Sequence, residues 1–197
     1  MKIVVFGAAG RTGREVVRQG LERGHEVTAF VRSPYDLEST DERLDVVAGD
    51  ARDAAAVERA LARADGVISV VALMSAEAEP EHSEATKAIV EAAGRAGVRR
   101  LVVAANNDVL SDREVTGEFA AHAREHRRNR ETLEASDLDW TIGAAPWVTD
   151  DPATGTYKTV MDGKGPGRRL GAADFATFAL DALERDEWNR HVVGVSA

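Results

Sequence analysis

Seven residues near the amino terminus, Gly7-Ala8-Ala9-Gly10-Arg11-Thr12-Gly13, restrict this chain more than any other stretch. They follow directly on the apolar run Ile3–Phe6 and open a segment of helical spacing, so the order is strand, glycine turn, helix. A tight turn of this kind needs glycine where the backbone takes positive φ. A second glycine lets backbone amides approach an anion, and a third lets the helix pack closely on the strand. The helix N-terminus then offers free N–H groups and a partial positive charge, which suits a pyrophosphate. The spacing G-x-x-G-x-x-G differs by one residue from the G-x-G-x-x-G dinucleotide pattern, so the flanking strand and helix carry the inference. A purely structural turn is the alternative.

Downstream, short β-branched runs alternate with longer Ala/Glu/Arg segments of helical spacing. Strands are expected at Ile3–Phe6, Glu26–Val31, Leu44–Ala48, Gly66–Val71, Leu101–Ala105 and Trp140–Ile142, and helices at Gly13–Arg23, Ala54–Arg63, Ser83–Ala96 and Glu118–Ala135. Gly24 and Gly97 end the first and third helices, and Asp53 caps the second. Several strands are apolar on consecutive positions, as strands covered on both faces of a parallel sheet are. This is an α/β chain, a Rossmann-type doubly wound parallel sheet. After Pro146 the pattern changes to a turn at 150–155, a strand at Thr156–Met161, a second turn at 162–167 and a last helix at Ala173–Glu184. These read as a short C-terminal elaboration on the same sheet. At 197 residues the whole chain, 1–197, is expected to be a single domain.

The end of the second strand usually selects the cofactor. Here it reads Phe30-Val31-Arg32-Ser33-Pro34, and Arg32 offers a planar cation to a 2′-phosphate, with Arg11 able to approach the same group. NADP(H) is the cofactor expected; an exposed strand end without a ligand is the other reading of Arg32. Asp50, beside Ala51 at the end of the third strand, either accepts a hydrogen bond from the adenine amino group or caps the following helix.

Absent residues narrow the chemistry. There is no cysteine, which removes disulfides, zinc–thiolate sites, iron–sulfur clusters and cysteine nucleophiles. Tyr35 and Tyr157 are followed four residues later by Ser39 and Met161, so neither begins a Tyr-x-x-x-Lys pair that could relay a proton to an alcohol oxygen. Hydride delivery to an electron-poor conjugated acceptor needs no such pair. His122 and His126 share a helix face, but no His-Glu-x-x-His occurs and the segment Arg124–Arg130 is rich in arginine; a solvated face is expected, and no metal site. No Gly-x-Ser-x-Gly elbow supports serine hydrolysis. With 34 acidic against 25 basic residues and a net charge of −9, a nucleic-acid surface is not expected. No apolar run is long enough to span a membrane or act as a signal, so a cytoplasmic location without membrane association is expected.

The glycine turn, the Val31-Arg32 pair, the missing Tyr-x-x-x-Lys and above all the tail Thr154-Gly155-Thr156-Tyr157-Lys158-Thr159-Val160-Met161-Asp162-Gly163-Lys164-Gly165-Pro166-Gly167-Arg168 resemble the biliverdin-IXβ reductase/flavin reductase group. These are atypical short-chain dehydrogenases with an NmrA-like, NAD(P)-binding fold. The resemblance runs from Lys2 to about the last helix. It implies NADPH as hydride donor and a small conjugated acceptor: a flavin, a quinone-like compound or a tetrapyrrole. It also implies a monomer or weak homo-oligomer. In that arrangement the turn residues Gly7, Ala9, Gly10, Arg11, Thr12 and Gly13, with Arg32, Asp50 and Ala51, hold the cofactor; Val71, Ala72, Ala105 and Pro146 flank its path; and Asn106 and Trp147 face the acceptor. Two positions depart from the group, which carries serine where this chain has Asn106 and histidine where it has Trp147. Trp147 either stacks on a ring of the ligand or packs half-buried. Residues 147–197 are expected to form part of the acceptor pocket. A non-catalytic NADP(H) sensor and a biosynthetic tailoring reductase or isomerase are the alternative functions.

Overall fold

The structure is a computed structural model that describes residues 1–33, 37, 40–72, 80–111 and 115–197. Pro34, Tyr35 and Ser39 lie outside the described residues. The elements are β1 (Lys2–Phe6), α1 (Arg11–Glu22), β2 (Glu26–Val31), β3 (Leu44–Ala48), α2 (Ala54–Leu61), β4 (Gly66–Ser69), α3 (Glu81–Ala96) and β5 (Arg100–Asn106). They continue with α4 (Ala120–Glu134), β6 (Asp139–Ala145), β7 (Trp147–Thr149), β8 (Lys158–Met161), β9 (Arg169–Gly171), α5 (Ala172–Glu184) and β10 (His191–Ser196).

An eight-stranded sheet runs in the order β3-β2-β1-β4-β5-β6-β10-β8, parallel throughout except for β8, which pairs antiparallel with β10. This is the Rossmann-type sheet with a small C-terminal elaboration. Alternation along β1 shows why its apolar run is unbroken: Ile3 and Val5 join a core with α1 and α5, while Val4 and Phe6 join a second core with α2, α3 and α4. Each face of the sheet therefore needs its own hydrophobic set, and β1 supplies both.

The expected boundaries hold within a few residues where caps define them. Asp53 accepts from the amides of Ala55 and Ala56 at the start of α2, and Gly97 ends α3. β4 stops at Ser69 and does not reach Val71, because Val70 and Val71 lie against the glycine turn. β5 and β6 are longer than periodicity indicated, carrying their ladder out to Asn106 and Ala145. The strands β7, β9 and β10 were not anticipated: β7 and β9 are short and pair with each other as a separate two-stranded sheet.

Two buried charges fasten α5. Arg100 sends its guanidinium to the carbonyls of Asp139, Ala182 and Arg185 and to Thr141 Oγ1, and burial lowers its pKa to about 10. Asp174, 1% exposed in the first turn of α5, accepts from Thr154 N, Thr154 Oγ1 and Gly155 N. The Thr-Gly of the tail is thus a clamp for the 150–157 turn. Replacing Asp174 by Ala strands these donors, and the expected loss is about 2–4 kcal/mol, seen as a fall of roughly 5–15 °C in the unfolding midpoint. An unchanged midpoint would show that the clamp contributes nothing.

Candidate functional site

β1 and β4 lie side by side where the strand order reverses, and their connections leave in opposite directions. Such a switch point opens a crevice beyond the carboxyl ends of the strands. A cavity of about 450 Å³ occupies it. The glycines account for its floor. Gly7 has φ 78°, and a Cβ there would lie 2.8 Å from Val70 O; a Cβ at Gly13 would lie 2.1 Å from Gly7 O. Gly10 needs no unusual φ; its N–H closes the turn on Gly7 O at 3.0 Å. The first turn of α1 carries neither an acidic residue nor a side-chain cap, so the amides of Arg11, Thr12 and Gly13 have no intrahelical acceptor and favour an anion.

Of the residues named from sequence, Gly7, Ala9, Gly10, Arg32, Asp50, Ala51, Val71 and Ala72 line this cavity. Arg32 is exposed and has no ion-pair or hydrogen-bond partner among the described residues. Four further residues with polar side chains line the cavity without having been foreseen: Arg14, Arg52, Glu81 and His82. Arg14 lies one helical turn after Gly10, and its Nε donates to Ala9 O at 2.8 Å. Arg52 grips Asp50 with two guanidinium bonds, Nε to Oδ1 at 3.0 Å and Nη2 to Oδ2 at 2.6 Å, and pairs through Nη1 with Glu81 at 2.9 Å. It thereby joins the β3–α2 connection to the start of α3. The Arg52 guanidinium holds the Asp50 carboxyl below the usual carboxylate range. Asp50 is not the helix cap that one reading made it, since Asp53 takes that place.

Arg11 also differs from expectation. Its guanidinium does not turn toward Arg32's side of the cavity; Nη1 donates to Val148 O at 2.7 Å and Nε pairs with Asp150 at 2.8 Å. The cause is β7 and the residue after it, which bring the Val148 carbonyl and the Asp150 carboxylate beside the start of α1. Arg11 is therefore a bridge between the glycine turn and the C-terminal elaboration.

Ala105 and Asn106 end β5, where the burial of the strand gives way to partial exposure. Asn106 Oδ1 accepts from Asp108 N at 3.0 Å and caps the 3-10 turn Asn107–Leu110. Its register partner is Ala145, the residue before Pro146 and Trp147. Trp147 is 65% exposed, so it is not a half-buried packing residue; on the same short strand, Val148 is the one that packs on the core. Tyr157 donates its hydroxyl to Asp181 and meets Phe178 edge-on; burial and then that bond push its phenol up from the ordinary value. It is a fastening residue and no proton relay.

The expected solvated histidine face is wrong. His126 and His82 meet edge-on with ring centroids 5.2 Å apart, between α3 and α4. Asn129 Nδ2 donates to His82 Nε2 at 3.1 Å, and the Nδ1 atoms of His82, His122 and His126 are buried without a partner. Glu125, fully buried beside them, accepts from Ser83 N at 2.7 Å and Ser83 Oγ at 3.0 Å and pairs with Arg128 at 2.7 Å. The arginines of α4 project outward and leave this inner stripe to imidazoles, which sequence spacing alone did not reveal. Among the described residues no group of His, Cys, Asp or Glu is placed to hold a metal ion, and no helix is long and apolar enough to cross a membrane.

A parallel sheet with a glycine turn, a free helix N-terminus and cationic side chains at the switch point defines an NAD(P)H-binding Rossmann protein. Residues 7–186 match the NAD(P)H-binding family, and the chain belongs to it, within the atypical short-chain dehydrogenases/reductases. It is an NAD(P)H-dependent oxidoreductase of that group. The uncharacterized protein YwnB of Bacillus subtilis is 30% identical over 95% of this chain and 94% of its own length. The (4-alkanoyl-5-oxo-2,5-dihydrofuran-3-yl)methyl phosphate reductase of Streptomyces griseus is 28% identical over 92% of this chain and 62% of its own length. Among solved structures, a Veillonella parvula short-chain dehydrogenase/reductase in complex with NADP superposes with a TM-score of 0.82 at 20% identity, covering 100% of this chain and 94% of that one.

The imidazole pair makes stability depend on pH. Burial lowers His82 to about 4 and His126 to about 3 from 6.5. Because folding depresses both values, their contribution is complete above about pH 6.5 and is lost as the pH falls toward 4, by up to about 1.4 kcal/mol per pH unit for each imidazole. His126→Phe is expected to flatten the decline in urea midpoint between pH 6.5 and 4; parallel profiles would remove His126 from the account.

Proposed function

We propose that the chain is an NADPH-dependent reductase that delivers hydride to a flavin-like, quinone-like or tetrapyrrole acceptor without a Tyr–Lys proton relay. The reading rests on one observation: a cavity prepared for a dinucleotide by the glycine turn and arginines, in a chain whose Tyr157 hydroxyl is committed elsewhere, to Asp181 of α5. Bound NADPH supplies the hydride; the protein's part is to position it and to exclude competing chemistry. The amides at the start of α1 hold the pyrophosphate. Arg32, with Arg52 near it, reads the 2′-phosphate, and Asp50 and Ala51 border the adenine. Val71, Ala72, Ala105 and Pro146 flank the cofactor, and Asn106 and Trp147 face the acceptor. In this reading residues 1–197 act as one domain whose segment 147–197 forms part of the acceptor pocket. The Streptomyces griseus relative supports it: its named substrate is a 5-oxo-2,5-dihydrofuran, a conjugated acceptor.

Mixing the purified protein with NADPH and FMN, riboflavin, menadione or biliverdin tests the reading by the loss of NADPH absorbance. Tight NADPH binding without oxidation by any of them favours a sensor instead. Arg32→Ala is expected to weaken NADPH about tenfold or more while leaving NADH nearly unchanged, measured by cofactor fluorescence. Equal losses would mean that Arg32 does not read the 2′-phosphate. Trp147→Ala is expected to lower acceptor turnover about tenfold with NADPH affinity retained; unchanged turnover would place Trp147 outside the acceptor site.

A further inference from the structure

A dinucleotide whose pyrophosphate lies on the start of α1 extends its adenosine half across the sheet from β1 over β2 to β3, the order in which these strands stand. The base then meets the β3–α2 connection and the start of α3, where Asp50, Ala51, Arg52, Glu81, His82 and Ala85 line the cavity. Asp50 is the residue that the sequence offers to the adenine amino group, but its carboxylate is already occupied. Among the described residues every hydrogen bond that reaches it comes from Arg52. Oδ1 accepts from the backbone N at 2.9 Å and from Nε at 3.0 Å, and Oδ2 accepts from Nη2 at 2.6 Å and from Nε at 3.2 Å. A carboxylate has about four acceptor positions, so none is left for an amino group. Glu81 gives one oxygen to Nη1 of the same guanidinium at 2.9 Å. His82 Nε2 meets Asn129 and its Nδ1 is buried, and Ala51 and Ala85 have no polar side-chain atom. Apart from the second oxygen of Glu81, whose side chain is 51% exposed, what remains unmet here are donors. They are the Ala51 N–H, which has no acceptor among the described residues, and the N–H bonds left at the tip of Arg52.

We infer that Arg52 makes the cofactor site indifferent to the 6-amino group of the base, so that a 6-oxopurine dinucleotide binds as well as the adenine form. The inference rests on the cofactor placement proposed above and adds a specificity-determining residue to it. The physical reason is occupancy. Reading the amino group would require Asp50 to give up a charge-assisted, two-pronged partner for a neutral N–H donor. That exchange is unfavourable while the same guanidinium is anchored on its other side by Glu81. The donors left over serve a ring nitrogen of adenine and the carbonyl oxygen of hypoxanthine alike. Affinity is then carried by the phosphates, at the α1 amides and Arg32, and by covering a flat ring rather than by reading its edge.

The probe is reduced nicotinamide hypoxanthine dinucleotide phosphate, which differs from NADPH only in the base, an oxo group standing for the amino group. Enhancement of dihydronicotinamide fluorescence gives both dissociation constants without turnover, and losses common to the two cancel in their ratio. The wild type is expected to bind both within about threefold of each other. Arg52→Met keeps an unbranched stem but removes the donors and frees Asp50; it is expected to favour NADPH by more than about threefold. Adding Asp50→Ala to Arg52→Met is expected to return the ratio to the wild-type range. Glu81→Ala alone, which leaves Asp50 filled, is expected to keep it there. A wild-type preference for either dinucleotide above about threefold overturns the inference, as does an Arg52→Met ratio that stays below it. A double variant that still prefers NADPH removes Asp50 as the freed acceptor, and a changed ratio in Glu81→Ala moves the determinant from Arg52 to Glu81; either result overturns the assignment. Binding of neither dinucleotide overturns the cofactor placement together with the inference. Equal binding of both, with no acceptor oxidising either, removes the reductase reading and leaves the base tolerance standing.

Discussion

The approach of α1 to the carboxyl end of β1 is the contact on which the rest of the molecule depends. A Cβ at residue 13 would stand 2.1 Å from Gly7 O, and one at residue 7 would stand 2.8 Å from Val70 O. Two hydrogens thus define how closely the helix, the first strand and the end of β4 can meet. That closeness directs the free amides of the first helical turn into the crevice between β1 and β4, where the reversal of strand order has already made room. A larger residue at either position would do more than destabilise a turn; it would move the free amides of α1 away from the crevice between β1 and β4.

The residues after Pro146 are held by an apolar and a polar set. α5 and Leu170 of β9 are buried in the core with α1, whereas all four residues of β8 are exposed. The segment 147–157 is fastened further by the four bonds of Asp174, by Tyr157 on Asp181 and by Arg11 on Val148 and Asp150. Arg11 is the informative member. It stands at the first position of α1, so the helix that follows the glycine turn also holds β7, which carries Trp147. The glycine turn and the segment after Pro146 are therefore tied together at this point.

How much of this was legible in the sequence follows from the range of the interactions concerned. The glycine turn, the alternation of strand and helix, the Asp53 cap and the cavity residues Arg32, Asp50 and Val71 are local features: their signal lies within a few residues. The short strands β7 and β9 have no such signal, because their pairing is with each other across an intervening turn and strand, and three residues give no periodicity. Arg11 was placed by proximity in sequence to the phosphate turn, while its true partners are more than a hundred residues away. The histidines failed for a different reason. Arg124, Arg127 and Arg128 made α4 look solvated as a whole, whereas they share one face of the helix, and the opposite face buries Glu125 and Asn129 and half-buries His126 against His82. Composition describes a helix; burial depends on one face of it.

The charge of the chain is reconciled at the same scale. A net −9 opposes a polyanion at a distance, yet NADPH meets only the cavity wall. There Arg14, Arg32 and Arg52 stand against Asp50 and Glu81, a local excess of one positive charge, to which the N-terminus of α1 adds its partial charge. The carboxylates are not wasted opposition. Bound on both sides, Arg52 has its guanidinium plane held between the β3–α2 connection and α3, while Arg32 remains uncommitted. His82, beside Glu81 on the same wall, stays neutral through burial and adds no charge of its own at neutral pH. The net negative charge of the chain and the positive excess on the cavity wall thus coexist at different scales, and what an anionic cofactor meets is set by where the charges lie rather than by their sum.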